Sequence, residues 1–121
     1  MKNAKIMNFQ QVEGKTPPGG GGTWYRLIES VDTEAGLIFG YGRIKPGDGR
    51  GWHSHPEGED EIFYVIEGRG LGEWKFEGKS YKQEIPSGTA FYTPGIMENN
   101  ITNVGDKDLL CVYCIYKPIK L

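Results

Sequence analysis

The sequence predicts an all-β sandwich or barrel in a single domain, and three observations carry that expectation. Short runs rich in Val, Ile, Phe, Tyr and Trp alternate with Gly/Pro turn signals along most of the 121 residues, which is the pattern of many short strands. No stretch repeats its apolar residues with a helical period over a useful length. The chain's 19 glycines suit the turns and close backbone approaches of such a fold.

Taken in order, residues 1–15 have weak periodicity and read as an arm or a first edge strand, and Thr16-Pro-Pro-Gly-Gly-Gly-Gly22 is a loop by composition. Residues 1–23 are therefore set apart from a domain over 24–118. Residues 24–30 read as a strand, 31–35 as a polar turn and 36–45 as a longer strand. On the longer strand Leu37, Phe39, Tyr41 and Arg43 share one face, and Ile38, Gly40, Gly42 and Ile44 share the other. Glycine inside a strand marks close approach by a ligand or another backbone. Residues 62–66, Ile-Phe-Tyr-Val-Ile, have strand length and composition. Residues 70–76 and 79–85 flank Glu77-Gly78, a hairpin pattern. Residues 89–93, 100–103 and 109–116 close the series.

Composition removes several classes of function. A net charge of -2 with scattered Lys and Arg offers no nucleic-acid face. No apolar stretch approaches the length of a membrane span, and the polar N-terminus does not read as a signal peptide, so a cytoplasmic protein is expected. Gly14-Lys15-Thr16 imitates the end of a phosphate-binding loop, but Phe9 stands where that motif needs glycine. Cys111 and Cys114 are three apart on an alternating strand and fall on opposite faces; they read as packed, reduced thiols.

The chemistry concentrates between Gly47 and Gly68. The chain's two histidines, His53 and His55, are two residues apart, and on an extended segment they point to one face, with backbones roughly 6 to 7 Å apart. That spacing lets both rings reach a single ion. Among the acids that follow, Glu61 begins the 62–66 strand, where the backbone holds it rigidly. Glu57, Glu59 and Asp60 read as a solvated loop. Alternation sends Glu61, Phe63 and Val65 inward and leaves Ile62, Tyr64 and Ile66 outside, needing the cover of a second subunit. Trp52, Trp74, Phe91 and Tyr92 read as core, although aromatic walls also suit a small-molecule pocket. Arg26, Arg43, Arg50 and Arg69 read as surface charges, with Arg43 the candidate anchor for a carboxylate substrate.

Gly47, His53, His55, Glu61 and Gly68 resemble the first motif of the cupin family, G-x5-H-x-H-x(3 or 4)-E-x6-G. Five residues separate His55 from Glu61, one more than the motif's upper limit, while the Glu61-x6-Gly68 register holds and points to a loop insertion. The second motif, G-x5-P-x-G-x2-H-x3-N, is matched by Gly88, Pro94 and Asn103, with Asn99 where the family has its third histidine. Aligning Gly95 as the internal glycine puts Glu98 there instead. The family's set of three histidines and one glutamate cannot form from two histidines.

The resemblance implies a jelly roll of two antiparallel sheets, a homodimer, and one divalent transition metal ion, with Fe, Mn, Ni, Zn and Cu all admissible. His53, His55 and Glu61 would hold the ion, with Asn99 or Glu98 as a fourth ligand. A metal-dependent enzyme of dioxygenase, isomerase or lyase type is the leading expectation, with Glu98, Tyr92 and Tyr41 as candidate acid–base residues. The alternative is a small-molecule binding or sensing module without turnover. In either case the partner is a small molecule in the barrel.

Overall fold

A computed structural model describes residues 1–119 of the chain. Eight strands follow one another: β1 (Thr23–Ile28), β2 (Leu37–Ile44), β3 (Glu61–Glu67), β4 (Arg69–Phe76), β5 (Lys79–Pro86), β6 (Ala90–Thr93), β7 (Asn99–Asn103) and β8 (Leu109–Tyr116). All pairings are antiparallel. One sheet has the order β1-β2-β8-β3-β6 and the other β5-β4-β7. This is the expected jelly roll. Among the described residues the only helical elements are two three-residue 3-10 turns, Phe9–Gln11 and Ser30–Asp32, and no helix is long and apolar enough to cross a membrane.

Alternation in the strands builds the core. β8 turns Leu109, Cys111, Tyr113 and Ile115 inward, β3 turns Glu61, Phe63 and Val65 inward, and Ile38, Ile44, Ile85 and Ile101 join them from the remaining strands. At 25 cal/mol per Å² or so, each fully buried side chain of this size stabilises by roughly 1.5–3 kcal/mol. Glu77 and Gly78 both take positive φ, 50° and 77°, the two-residue turn whose twist matches its flanking strands. Cys111 is buried and Cys114 half-buried on the other face, both free. Burial pushes the Cys111 thiol up to about 12.

Gly40 and Gly42 explain themselves through aromatic rings. A Cβ on Gly40 would lie 2.4 Å from the Tyr113 ring, and one on Gly42 would lie 2.4 Å from Trp24. The close approach at these glycines is thus made by two side chains, not by a ligand or another backbone, and both side chains also line the cavity.

Of the two readings of residues 1–15, the structure has the arm and not the edge strand: Asn8 caps the first 3-10 turn, Phe9 packs at 5.6 Å on Tyr25 and 5.3 Å on Tyr41, and Lys15 makes an isolated bridge to Trp24. The arm therefore folds onto its own barrel. Two other expectations need correction. Trp52 and Tyr92 are not core. Trp52 is 46% exposed under the Lys75 ammonium, and Tyr92 is 56% exposed on the outer face of β6. Asp60 is structural, accepting from the Tyr92 hydroxyl at 2.7 Å and the Gly95 amide at 3.1 Å.

Candidate metal centre

The histidines lie on a segment that runs beside β7 without being a regular strand. Isolated bridges join Gly49 to Thr102 and His53 to Asn99. The His53 amide donates to the Asn99 carbonyl at 3.0 Å, and the Asn99 amide returns the bond at 2.9 Å. Between the two bridges, four steps along the segment face three along β7, so one residue is extra. Gly51 absorbs it with φ 90°, the left-handed backbone of a glycine bulge.

That bulge decides which side chains meet. Strict alternation would put Arg50 and His53 on opposite faces; the extra residue turns both into the barrel. Arg50 Nη1 donates to both Glu61 carboxylate oxygens at 2.9 Å, and its guanidinium lies 5.1 Å from the Trp24 ring centre and 5.9 Å from that of Tyr113. Reading Arg50 as a surface charge is therefore wrong. It is a site residue, and Gly51 next to it was the one sequence signal that could have revealed the bulge.

Glu61 opens β3 between Thr93 of β6 and Ile115 of β8 and is only 3% exposed. Its Oε1 lies 3.4 Å from His55 Nε2 and 3.8 Å from His53 Nε2. The two imidazole rings are 5.3 Å apart, nearly perpendicular. One donor atom from each of the three residues falls within 4.8 Å of the other two, close enough to share one ion. Burial by itself would raise the Glu61 carboxyl; its hydrogen-bonding and charged neighbours, His55 and Arg50 among them, outweigh it and hold the carboxyl well below its usual range.

One atom tests whether these residues fit a metal. His53 Nδ1 lies 2.9 Å from the Gly51 carbonyl, which can only accept, so Nδ1 carries the proton and Nε2 presents its lone pair. That Nε2 is buried without a hydrogen-bond partner. A buried acceptor is costly to leave unpaired, and a cation beside Glu61 and His55 would satisfy it. The donor set fits.

The other expected site residues are dispersed. Asn99 is buried opposite His53, its Nδ2 donating to Met97 O at 3.0 Å and His53 O at 3.4 Å. Glu98 points to solvent and pairs with Lys75 at 3.0 Å. Tyr41 packs against Phe9 and Tyr25 outside the barrel. Tyr92 binds Asp60 there. Arg43 is on the exposed face of β2, 3.6 Å from Asp108, because alternation turns Ile44 inward and Arg43 out. None of these five lines the cavity above the histidines, which is walled by Trp24, Arg50, Tyr113 and part of the N-terminal arm.

A family model for the cupin domain matches residues 40–116. The chain belongs to the cupin family. An oxalate-binding protein of Thermotoga maritima is 33% identical to this cupin over 72 residues, 60% of the chain and 55% of that protein. An uncharacterised protein of Methanocaldococcus jannaschii is 36% identical over 66 residues, 54% of the chain and 49% of its own length. The cupin thus spans about half the length of the curated relatives it matches. Among solved structures, a predicted oxalate decarboxylase of T. maritima superposes with TM-score 0.76 and 24% identity, covering 93% of this chain and 98% of that one. Bacillus subtilis oxalate decarboxylase, in a study of its Mn(II) centres, superposes with TM-score 0.76 and 21% identity over 93% of this chain and 30% of its own. At those identities the likeness is one of fold.

Proposed function

We propose that this cupin holds one divalent transition metal ion on His53, His55 and Glu61 and binds a small organic carboxylate beside it, as a metal-dependent enzyme of dioxygenase, isomerase or lyase type. The unpartnered lone pair of His53 Nε2, 3.8 Å from Glu61 Oε1 and within 4.8 Å of a His55 donor atom, carries the reading. Two histidines and one carboxylate suit several divalent ions and leave coordination positions open. Asn99, whose amide nitrogen is already committed to backbone carbonyls, is the candidate fourth ligand through its amide oxygen.

The bound ion would supply Lewis acidity toward a substrate oxygen. The chain's own residues supply orientation. Arg50 is partly buried, lies over two aromatic rings and spends one nitrogen on Glu61, so its remaining N–H groups are the donors for a substrate carboxylate, whose planar pair of oxygens they match. The oxalate-binding relative supports a carboxylate ligand. Mn(II), named for the decarboxylase that shares the fold, is the first ion to load.

One observation favours a second reading, capture without turnover: Tyr41, Tyr92 and Glu98 all lie outside the cavity, leaving them no access to a bound substrate. One experiment separates the two. Protein loaded with Mn(II) is titrated calorimetrically with oxalate and then assayed for its consumption. Metal-dependent binding that is lost in Arg50→Gln supports the carboxylate site, and recovery of all the oxalate favours capture. Binding unaffected by chelation contradicts the metal site.

A homodimer belongs to the same proposal. Ile62, Tyr64 and Ile66 of β3 stand exposed beside Leu37 and Phe39 of β2 and Tyr116 of β8. Through β8, which pairs with both β2 and β3, they form one apolar outer face, which a second copy would cover.

A further inference from the structure

The cavity is much larger than oxalate needs. It measures about 650 Å³, within the range of pockets that bury whole drug-sized ligands, whereas a dianion of six heavy atoms displaces on the order of 100 Å³ at about 30 Å³ per water. Its walls differ in chemistry. His53, His55 and Arg50 contribute the polar part; Trp24 and Tyr113, in edge-to-face contact at 5.6 Å, adjoin Arg50; and the N-terminal arm, paired to Trp24 through Lys15, forms the rim.

The mouth is built. Lys15 exchanges two backbone hydrogen bonds with Trp24, at 2.8 and 2.9 Å, and residues opposed in this way present their side chains to one side. Arg26 follows Trp24 by two on β1 and so shares its face; both Lys15 and Arg26 line the cavity. Lys15 has no ion pair among the described residues, and Arg26 is 3.6 Å from Glu29 and lies beside the Tyr113 hydroxyl, keeping N–H groups for a third partner. Glu13 and Glu29 share the mouth and offset the net charge, so an incoming group gains from N–H donors more than from bulk potential.

Resting on the carboxylate reading above, we propose that the physiological ligand is an elongated carboxylate. Its acid head meets Arg50 and the metal centre, an aromatic or alkyl body lies along Trp24, and a hydrogen-bond acceptor at its far end is received by Arg26 and Lys15. These two are specificity residues for a site that oxalate fills only in part.

Zn(II)-loaded protein, in which redox turnover is absent, is titrated with oxalate, phenylacetate and para-carboxyphenylacetate. The expected order is oxalate weakest and the para-carboxy acid tightest, with a margin of about ten-fold over phenylacetate, the effect of one charge-assisted hydrogen bond. In the exposed-site variant Arg26→Gln/Lys15→Gln that margin disappears while phenylacetate binding persists. Oxalate binding tighter than both aryl acids, or a margin that survives in the double variant, overturns the proposal and leaves the metal–carboxylate reading standing. Failure of all three acids to bind overturns both.

Discussion

The two segments that bring the candidate ligands together are built differently. β3 lies between β6 and β8, hydrogen-bonded on both sides, and its alternation from Glu61 to Val65 is unbroken. The segment from Gly49 to His55 leans on β7 and on Gly95 through a few backbone bonds and carries a bulge at Gly51. One segment presents a carboxylate from a rigid frame; the other sets three side chains by a single irregularity. Regular backbone fixes where a ligand stands, while the irregular backbone chooses which ligands join it.

Breaking the rigid half should have the largest effect. Glu61→Ala leaves the Arg50 guanidinium, 15% exposed, without its carboxylate, and loss of one partner of such a pair costs roughly 3 kcal/mol; urea unfolding should show it, together with loss of bound metal. Gly51→Ala strikes the irregular half. Nothing lies within 4 Å of a Cβ there, so its cost is the left-handed backbone alone, about 1–2 kcal/mol, and a shifted bulge should weaken metal binding about 10- to 100-fold. A Gly51→Ala protein with parental affinity would show that the bulge does not set the site.

Smaller effects mark what lies outside the comparison. Ile62→Lys, on the outer face of β3, should give a monomer by light scattering and change stability by no more than about 0.5 kcal/mol in the monomer, with metal content unchanged. If the parent is itself monomeric, the dimer is wrong. Cys111 should resist iodoacetamide in the folded protein, since burial holds its thiol protonated up to about 12, and should react only on unfolding.

The fold was legible because its strands obey simple rules. Observed strand ends fall within two residues of the expected ones wherever alternation is regular, as in β2, β3 and β8, and the Glu77-Gly78 turn is the one its residues require. His53, His55 and Glu61 were legible from spacing. Arg50 was not, because a period of two assigns it to the opposite face and one extra residue reverses that assignment. Arg43, chosen instead, obeys its strand's alternation and therefore points out. Trp52 and Tyr92 misled for a related reason: hydrophobic identity was read without the face on which each residue falls. The arm's placement was illegible because it depends on contacts with Tyr25 and Tyr41, far along the chain from any local pattern.

The central claim is that His53 Nε2, His55 and Glu61 share an ion. Elemental analysis of protein purified without an affinity tag or chelator, beside His53→Ala, tests it most directly. Close to one equivalent of a transition metal in the parent and almost none in the folded variant is the predicted result. A parent that is metal-free and takes up no added Mn, Fe, Ni, Cu or Zn, or a His53→Ala protein that retains the parental metal content, would contradict it.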